Sequence, residues 1–314
     1  MGLGRLAVFV PWRATMNNTN KGILLVLLSA AGFGLMPVFA SYAYATGLNV
    51  PTLLFLRFII GAIILFGYLS LARKKWVATR KDLALFFLLG GVLYALQAFG
   101  YFSAIRYMPV PLVALILYLY PVFVAVISHF VNKEHLSKKV VWAIAVSLLG
   151  MALVLGRPGG NVNLTGLLYA LGAAVVYSSY IIIGNRVALN APPLVASSFI
   201  VLFASIPFLV SGALTGSLQF RFPAMGWPLV LGVGSLSTAL PIFCFLRGMN
   251  ATGPTRASIV SMLEPVVTIA AAAVLLGQRM SVVQAAGGLL VIGGAALVVL
   301  AGGGEHGRNT TERV

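Results

Sequence analysis

The stretch LYPV, residues 119–122, returns 144 residues later as LEPV, residues 263–266. The same gap-free offset pairs Gly22 with Gly166, so the correspondence reaches back to the start of the first apolar segment. An offset of about half the chain that holds over this distance predicts an internal duplication. In membrane proteins such duplications often build transporters around a central site.

The composition excludes a soluble protein. The chain of 314 residues is 60% hydrophobic and 8% charged, with a mean hydropathy of +1.02. A soluble domain cannot hide that much apolar surface, whereas membrane helices need about 20 apolar residues each. We therefore predict an all-α membrane protein of ten transmembrane helices, near 22–44, 52–72, 83–105, 110–131, 140–156, 164–184, 194–214, 224–246, 254–276 and 282–301.

The basic residues predict the orientation of these helices. With a cytoplasmic N-terminus, the second and fourth loops carry eight Lys/Arg, while their counterparts in the second half carry only Arg221 and Arg279. This is the bias of the positive-inside rule, so the net charge of +16 does not indicate nucleic-acid binding. Five helices per half make the second half enter the membrane from the other side. We expect two inverted repeats and both termini in the cytoplasm.

The domain boundaries follow from the duplication. Met16 is a plausible alternative start, and the single cysteine, Cys244, excludes a disulfide framework. The predicted segments are a cytoplasmic leader 1–21, a first five-helix repeat 22–156, a linker 157–163, a second five-helix repeat 164–301 and a cytoplasmic tail 302–314.

One acidic residue is predicted to lie in the middle of a membrane helix. The chain has five acidic residues, and Glu264 is the one in this position. It shares a helical face with Ser261 and Thr268. An intramembrane carboxylate is costly, so a proton- or substrate-binding role is the default hypothesis, and a purely structural carboxylate is the alternative. Pro265 and its counterpart Pro121 are predicted hinge or kink sites, because proline cannot donate a helical hydrogen bond.

A polar stripe runs along the third predicted helix. Tyr94, Gln97 and Tyr101 repeat the i, i+3, i+7 spacing, so they face either a cavity or another helix. Arg57 is interpreted as structural, either snorkelling to the interface or pairing with a carboxylate or carbonyl. Further candidates for substrate or proton binding are Tyr120, which replaces Glu264 in the first copy, Thr238 and Tyr177.

Several chemistries are missing from the sequence. It contains no phosphate-binding loop, dinucleotide fingerprint, zinc-protease motif or nucleophile elbow. Three histidines, one cysteine and one mid-membrane acid do not readily form a metal site. We predict no catalytic residues, no metal and no cofactor, so the protein is not expected to be an enzyme.

Five motifs occur in the order and spacing of a known family: Leu56-Arg57-Phe58, Lys133-Glu134-His135-Leu136-Ser137, Gly253-Pro254-Thr255-Arg256-Ala257, Leu263-Glu264-Pro265 and Gly277-Gln278-Arg279-Met280-Ser281. On these motifs the chain resembles the EamA-like family of the drug/metabolite transporter superfamily over residues 20–301. One departure is Gln278, which stands where the family has a glutamate, so we expect the anchoring role of that acid to be lost.

The resemblance implies a basket of helices around a central cavity whose access alternates between the membrane faces. Related proteins export amino acids, other metabolites or drugs, often in exchange for protons or for another metabolite. The expected function is thus secondary active export of small metabolites across the bacterial cytoplasmic membrane. Coupling of this export to protons is part of the expectation. The alternative is an uncoupled facilitator in which Glu264 is structural. The expected partners are the substrate, the lipid bilayer and protons, with no nucleic acid and no obligatory protein partner.

Overall fold

A computed structural model describes residues 16–72, 78–132, 138–155, 162–187, 192–252, 257 and 260–311. These residues form helices and connecting turns and no β-strand, which confirms the all-α prediction for the described part of the chain. The helices are α1 (Met16–Ala45), α2 (Val50–Leu71), α3 (Arg80–Ala104), α4 (Val110–Leu117), α5 (Tyr120–Asn132), α6 (Lys138–Leu155), α7 (Leu164–Val187), α8 (Pro193–Leu214), α9 (Gly226–Thr252), α10 (Glu264–Leu275) and α11 (Val282–Thr311).

The helices have the length and composition of a multi-pass membrane protein. Within the described ranges, seven spans are long and apolar enough to cross a bilayer, with α4 and the start of α5 forming one of them. Two shorter apolar helices follow, Glu264–Leu275 and Val282–Leu297. The count of ten stays a prediction, since the expected ninth helix, 254–276, lies partly outside the described residues.

The predicted fourth helix is broken into two. We expected one helix over 110–131, but the chain turns at Tyr118 and Leu119 between α4 and α5. The physical reason is Pro121, which has no amide hydrogen to donate back to the preceding turn. The same turn recurs at Met262 and Leu263, just before Pro265. Both breaks therefore lie at positions related by the 144-residue offset.

A second pair of irregularities lies in α3 and α9. Each contains a π-helical segment, Leu88–Tyr94 in α3 and Ser235–Ala239 in α9. Shifting the first segment by 144 residues makes it overlap the second, and Tyr94 then coincides with Thr238. Such segments widen a helix locally and occur frequently at functional sites.

Glycines allow the two halves of the chain to approach closely. A methyl group on Gly150 of α6 would lie 2.6 Å from the carbonyl oxygen of Gly287 in α11. One on Gly22 of α1 would lie 2.7 Å from Ala251 Cβ in α9. Close approach of small residues is the usual way in which membrane helices associate, because lipid supplies no hydrophobic driving force between them.

Candidate functional site

Five tyrosine rings form a continuous row through the interior of the bundle. They come from the break between α4 and α5, from α7 and from the π-helical segment of α3. Centroid separations of 6.0, 5.0, 5.9 and 5.7 Å connect, in order, Tyr118, Tyr120, Tyr177, Tyr180 and Tyr94. These are ordinary contact distances for aromatic pairs, so the rings make one wall. We call this wall the tyrosine row.

Glu264 lies at one end of the tyrosine row. It is the first residue of α10, directly after the helix break, and the Tyr118 hydroxyl donates a hydrogen bond to its carboxyl group. The Thr268 hydroxyl donates to the carbonyl oxygens of Gly34 at 2.9 Å and of Glu264 at 3.1 Å. The contact with Gly34 holds the first turn of α10, which carries the acid, against α1.

Arg57 lies at the other end of the row. Its side chain is 2% exposed. Its Nε donates to Thr238 Oγ1 and its Nη2 to Tyr94 Oη, both at 2.9 Å. The Thr238 hydroxyl in turn donates a hydrogen bond to the Val233 carbonyl oxygen, 2.8 Å away. One cation of α2 therefore joins the two π-helical segments, one from each half of the chain.

The polar groups of the row gather in one region inside the bundle. Four of these side chains are surrounded by protein but are only partly buried, so each keeps some accessible surface. They are Tyr120, Tyr177, Tyr180 and Glu264. The side-chain amide of Gln97 forms no hydrogen bond with the described residues, and protein does not fully cover its nitrogen and oxygen atoms. Interior polar groups nearly always have a partner. We call the region between these side chains the central chamber.

The structure brings most of the predicted site residues together. Tyr94, Tyr120 and Tyr177 belong to the tyrosine row, and Thr238 is the partner of Arg57. Tyr101 is 4% exposed and lies within electrostatic range of both Arg57 and Glu264.

The other predicted residues lie beside the row. Gln97 is buried one turn from Tyr94 on α3. Ser261 is half-buried on the far side of the break that precedes Glu264. Pro121 and Pro265 lie in the first turns of α5 and α10, directly after the two breaks.

Tyr118 and Tyr180 were not among the predicted site residues, and the burial of Arg57 was not predicted. The hypothesis that Arg57 snorkels to the interface is wrong, because its guanidinium is held inward by two hydroxyls. Tyr118 shares the helix break with its neighbour Tyr120, and Tyr180 is one turn after Tyr177. Their spacing from predicted residues was the available signal.

Gln278 keeps an anchoring role that we expected to be lost. Its Oε1 accepts a hydrogen bond of 2.9 Å from the amide of Val110, the first residue of α4. A neutral amide oxygen can cap a helix N-terminus as a carboxylate does, so the replacement removes the charge but not the contact. Its counterpart Glu134 lies outside the described residues. Gln278 also lines a shallow pocket at this end of the bundle with Arg106 and Asn163.

Metal-ligating side chains do not gather in the described part of the chain. No group of three or more His, Cys, Asp or Glu residues is found there. The polar groups around the chamber are hydroxyls, one amide, one carboxyl and one guanidinium. Such groups bind and orient a small polar molecule.

Comparison with known proteins shows that one family profile matches both halves of the chain. The profile of the EamA-like transporter family matches residues 20–156 and again residues 164–300. An uncharacterized transporter of Clostridium kluyveri is 26% identical over 263 residues, covering 81% of this chain and 85% of its own length.

Two other relatives have names that describe export. The threonine/homoserine exporter RhtA of Escherichia coli is 29% identical over 226 residues, covering 70% of this chain and 71% of its own length. The pseudopaline exporter CntI of Pseudomonas aeruginosa is 29% identical over 164 residues, covering 50% and 56%. A solved structure superposes with a TM-score of 0.62 at 23% identity, covering 91% of this chain and 97% of its own, and shows a shared fold alone.

Proposed function

We propose, since this chain belongs to the EamA-like transporter family, that it is a secondary active exporter of small metabolites in the bacterial cytoplasmic membrane. The observation that carries the proposal is the meeting of the buried acid Glu264 with the tyrosine row in the central chamber. Export is favoured because two named relatives are exporters. Amino acids are the substrates to test first, and L-threonine is the first probe.

The transport cycle is proposed to use ten helices in two inverted repeats. The helix pairing supports this, because exchanging the two halves preserves it: α1 packs on α9 as α7 packs on α3. Likewise α1 contacts α10 as α7 contacts α4 and α5, and the pairs α2–α8 and α6–α11 each join counterparts. A frame with this symmetry can close on either face of the membrane by the same movement.

The helix breaks are the proposed moving joints. They lie at Tyr118-Leu119 and Met262-Leu263, beside Pro121 and Pro265. Each break carries a chamber residue on its far side, Tyr120 in one half and Glu264 in the other. A change in backbone angle at either break therefore moves a side chain of the chamber. This links access to occupancy, as alternating access requires.

Glu264 is the proposed coupling residue. A carboxyl group enclosed by tyrosines can be neutralised either by a proton or by a cationic substrate group, and the two ligands then exclude each other. The acid would release its proton and bind substrate at one face, and after reorientation release the substrate and take up a proton at the other face. An exchange of one proton per substrate gives about tenfold accumulation for each unit of pH difference.

The proposal is tested with purified protein in liposomes whose lumen is more acidic than the medium. We expect accumulation of radiolabelled L-threonine in the wild type and its loss in Glu264→Gln. Asp82→Asn is the matched control, because Asp82 caps the first turn of α3 outside the chamber and loses the same charge. Equal accumulation by the Glu264 and Asp82 variants would remove Glu264 from the mechanism.

An uncoupled facilitator is the second candidate, because the Tyr118 hydrogen bond to Glu264 is also compatible with a structural carboxyl group. Collapsing the pH gradient with an ionophore separates the two. A facilitator brings L-threonine to equal concentrations on both sides, with or without the ionophore. The proposed exchanger loses accumulation when the gradient is removed.

A further inference from the structure

Arg57 has an unusual environment for a buried cation. It is 2% exposed, and its guanidinium carbon lies 4.7 Å from the ring centre of Phe58, 5.1 Å from that of Phe102 and 5.7 Å from that of Tyr94. The rings favour a cation but carry no net charge. The two groups that accept its hydrogen bonds, on Tyr94 and Thr238, are neutral hydroxyls.

The positive charge of Arg57 has no protein counter-ion in the described part of the chain. It forms no ion pair there, and its hydrogen bonds use Nε and one proton of Nη2. A guanidinium has five donors in a planar fork, so three remain, two of them on Nη1. A buried charge without a partner is strongly unfavourable, and the free edge has the geometry that binds a carboxylate with two parallel bonds.

We propose that Arg57 is the anion-binding residue of the central chamber and receives the single carboxylate of the transported metabolite. This deepens the proposed function and rests on it. One guanidinium matches one negative charge, whereas a phosphate ester carries more charge and is normally met by several basic groups. Among the described residues, Arg57 is the only cation within contact of the tyrosine row.

The position of Arg57 also defines which part of a substrate it receives. Arg57 and Glu264 lie at opposite ends of the tyrosine row, and Tyr101 lies within electrostatic range of both. The two charged groups of an α-amino acid share one carbon, so its carboxylate can bind Arg57 without its amino group reaching Glu264 at the same time. Metabolites with a carboxylate, amino acids among them, are therefore the substrate class, and a cation without a carboxylate lacks the contact with Arg57.

The test compares L-threonine with L-threoninamide, in which an amide replaces the carboxylate. Binding to purified protein is measured by the ligand-induced increase in thermal stability, at about pH 6 so that both amines are protonated. We expect the wild type to bind L-threonine about 10–100-fold more tightly than the amide, as for a charged hydrogen-bonded pair. In Arg57→Gln this preference for L-threonine is expected to disappear. In Arg57→Lys, which keeps the positive charge but lacks the planar guanidinium, the preference is expected to be intermediate.

Arg247→Gln is the matched control, because Arg247 is exposed and donates to Tyr68 Oη away from the tyrosine row. The preference for L-threonine is expected to persist in Arg247→Gln, and its loss there, or its persistence in Arg57→Gln, overturns the proposal. If Arg57→Gln does not fold, Arg57→Lys decides, and an undiminished preference in Arg57→Lys overturns the proposal.

The wild-type result separates this inference from the proposed function. Equal responses of the wild type to both probes, including no response to either, also overturn the assignment of Arg57, even if another compound is exported. Conversely, if L-threonine binds through Arg57 but does not cross the liposome membrane, the binding site stands and the exporter function fails.

Discussion

Replacing Gly34 by alanine is expected to push α10, and Glu264 with it, away from α1. The new Cβ would lie 2.8 Å from the Glu264 carbonyl oxygen and 2.8 Å from Val267 Cβ, where ordinary contact begins at 3.4 Å. The helices must therefore separate by about 0.6 Å, the difference between 3.4 and 2.8 Å, because a backbone atom cannot move aside as a flexible side chain can.

The cost has two parts. Overpacking of this kind destabilises a protein by about 1–3 kcal/mol. The hydrogen bond from Thr268 to the Gly34 carbonyl oxygen, now 2.9 Å, would lengthen to about 3.5 Å and lose about 1 kcal/mol more. We expect a total of about 2–4 kcal/mol and a fall in apparent Tm on the order of 5–10 °C.

The assay is thermal unfolding of the purified protein in detergent, with Gly67→Ala as the matched control. A methyl group on Gly67 of α2 meets nothing within 4 Å, so that change is expected to be neutral or to stabilise by up to about 1 kcal/mol. Transport by the Gly34 variant should also fall, since the displaced helix turn carries Glu264. If both variants unfold at the same temperature, the close packing of α1 on α10 is wrong.

The remaining predictions concern the helix breaks and one helix interface. Pro121→Ala and Pro265→Ala each restore an amide donor worth about 1 kcal/mol, so we expect turnover in liposomes to fall about fivefold while substrate affinity changes little. Unchanged turnover would exclude movement at the breaks. Gly150→Leu is expected to destabilise the α6–α11 contact by about 3 kcal/mol or more, as measured by thermal unfolding. Gly293→Leu on α11 meets open space and is expected to be neutral, and equal losses in the two leucine variants would contradict this interface.

Residues whose role depends on hydropathy and spacing were predictable before the structure. Glu264 stood out because it is an acid in the middle of an apolar run, and Tyr94 because it begins a polar stripe at helical spacing. The tyrosine row was only partly predictable. Tyr120 and Tyr177 were among the candidates, but Tyr118 and Tyr180 enter the row through the geometry of a helix break and a stacked pair.

A linear pattern could not predict the course of the backbone at these places. A π-helical segment has the same hydropathy as an α-helix, so the segment ending at Tyr94 looked regular. The break at Tyr118-Leu119 was suggested by Pro121, yet an apolar run of this length is also compatible with one kinked helix. Local sequence limits these choices, and the neighbouring helices select among them.

Composition, charge bias and the 144-residue repeat were sufficient to predict a helical, multi-pass membrane protein with an acid near its centre. These properties depend on the transfer of side chains into lipid and on periodicity along one chain, which a sequence contains directly. The environment of Arg57 was decided only by the tertiary structure. Its partners Tyr94 and Thr238 are 37 and 181 residues away, and they meet it because α2 lies between helices of both halves. Whether a cation near a helix end reaches outward to water or inward to hydroxyls depends on which neighbours those helices bring to it.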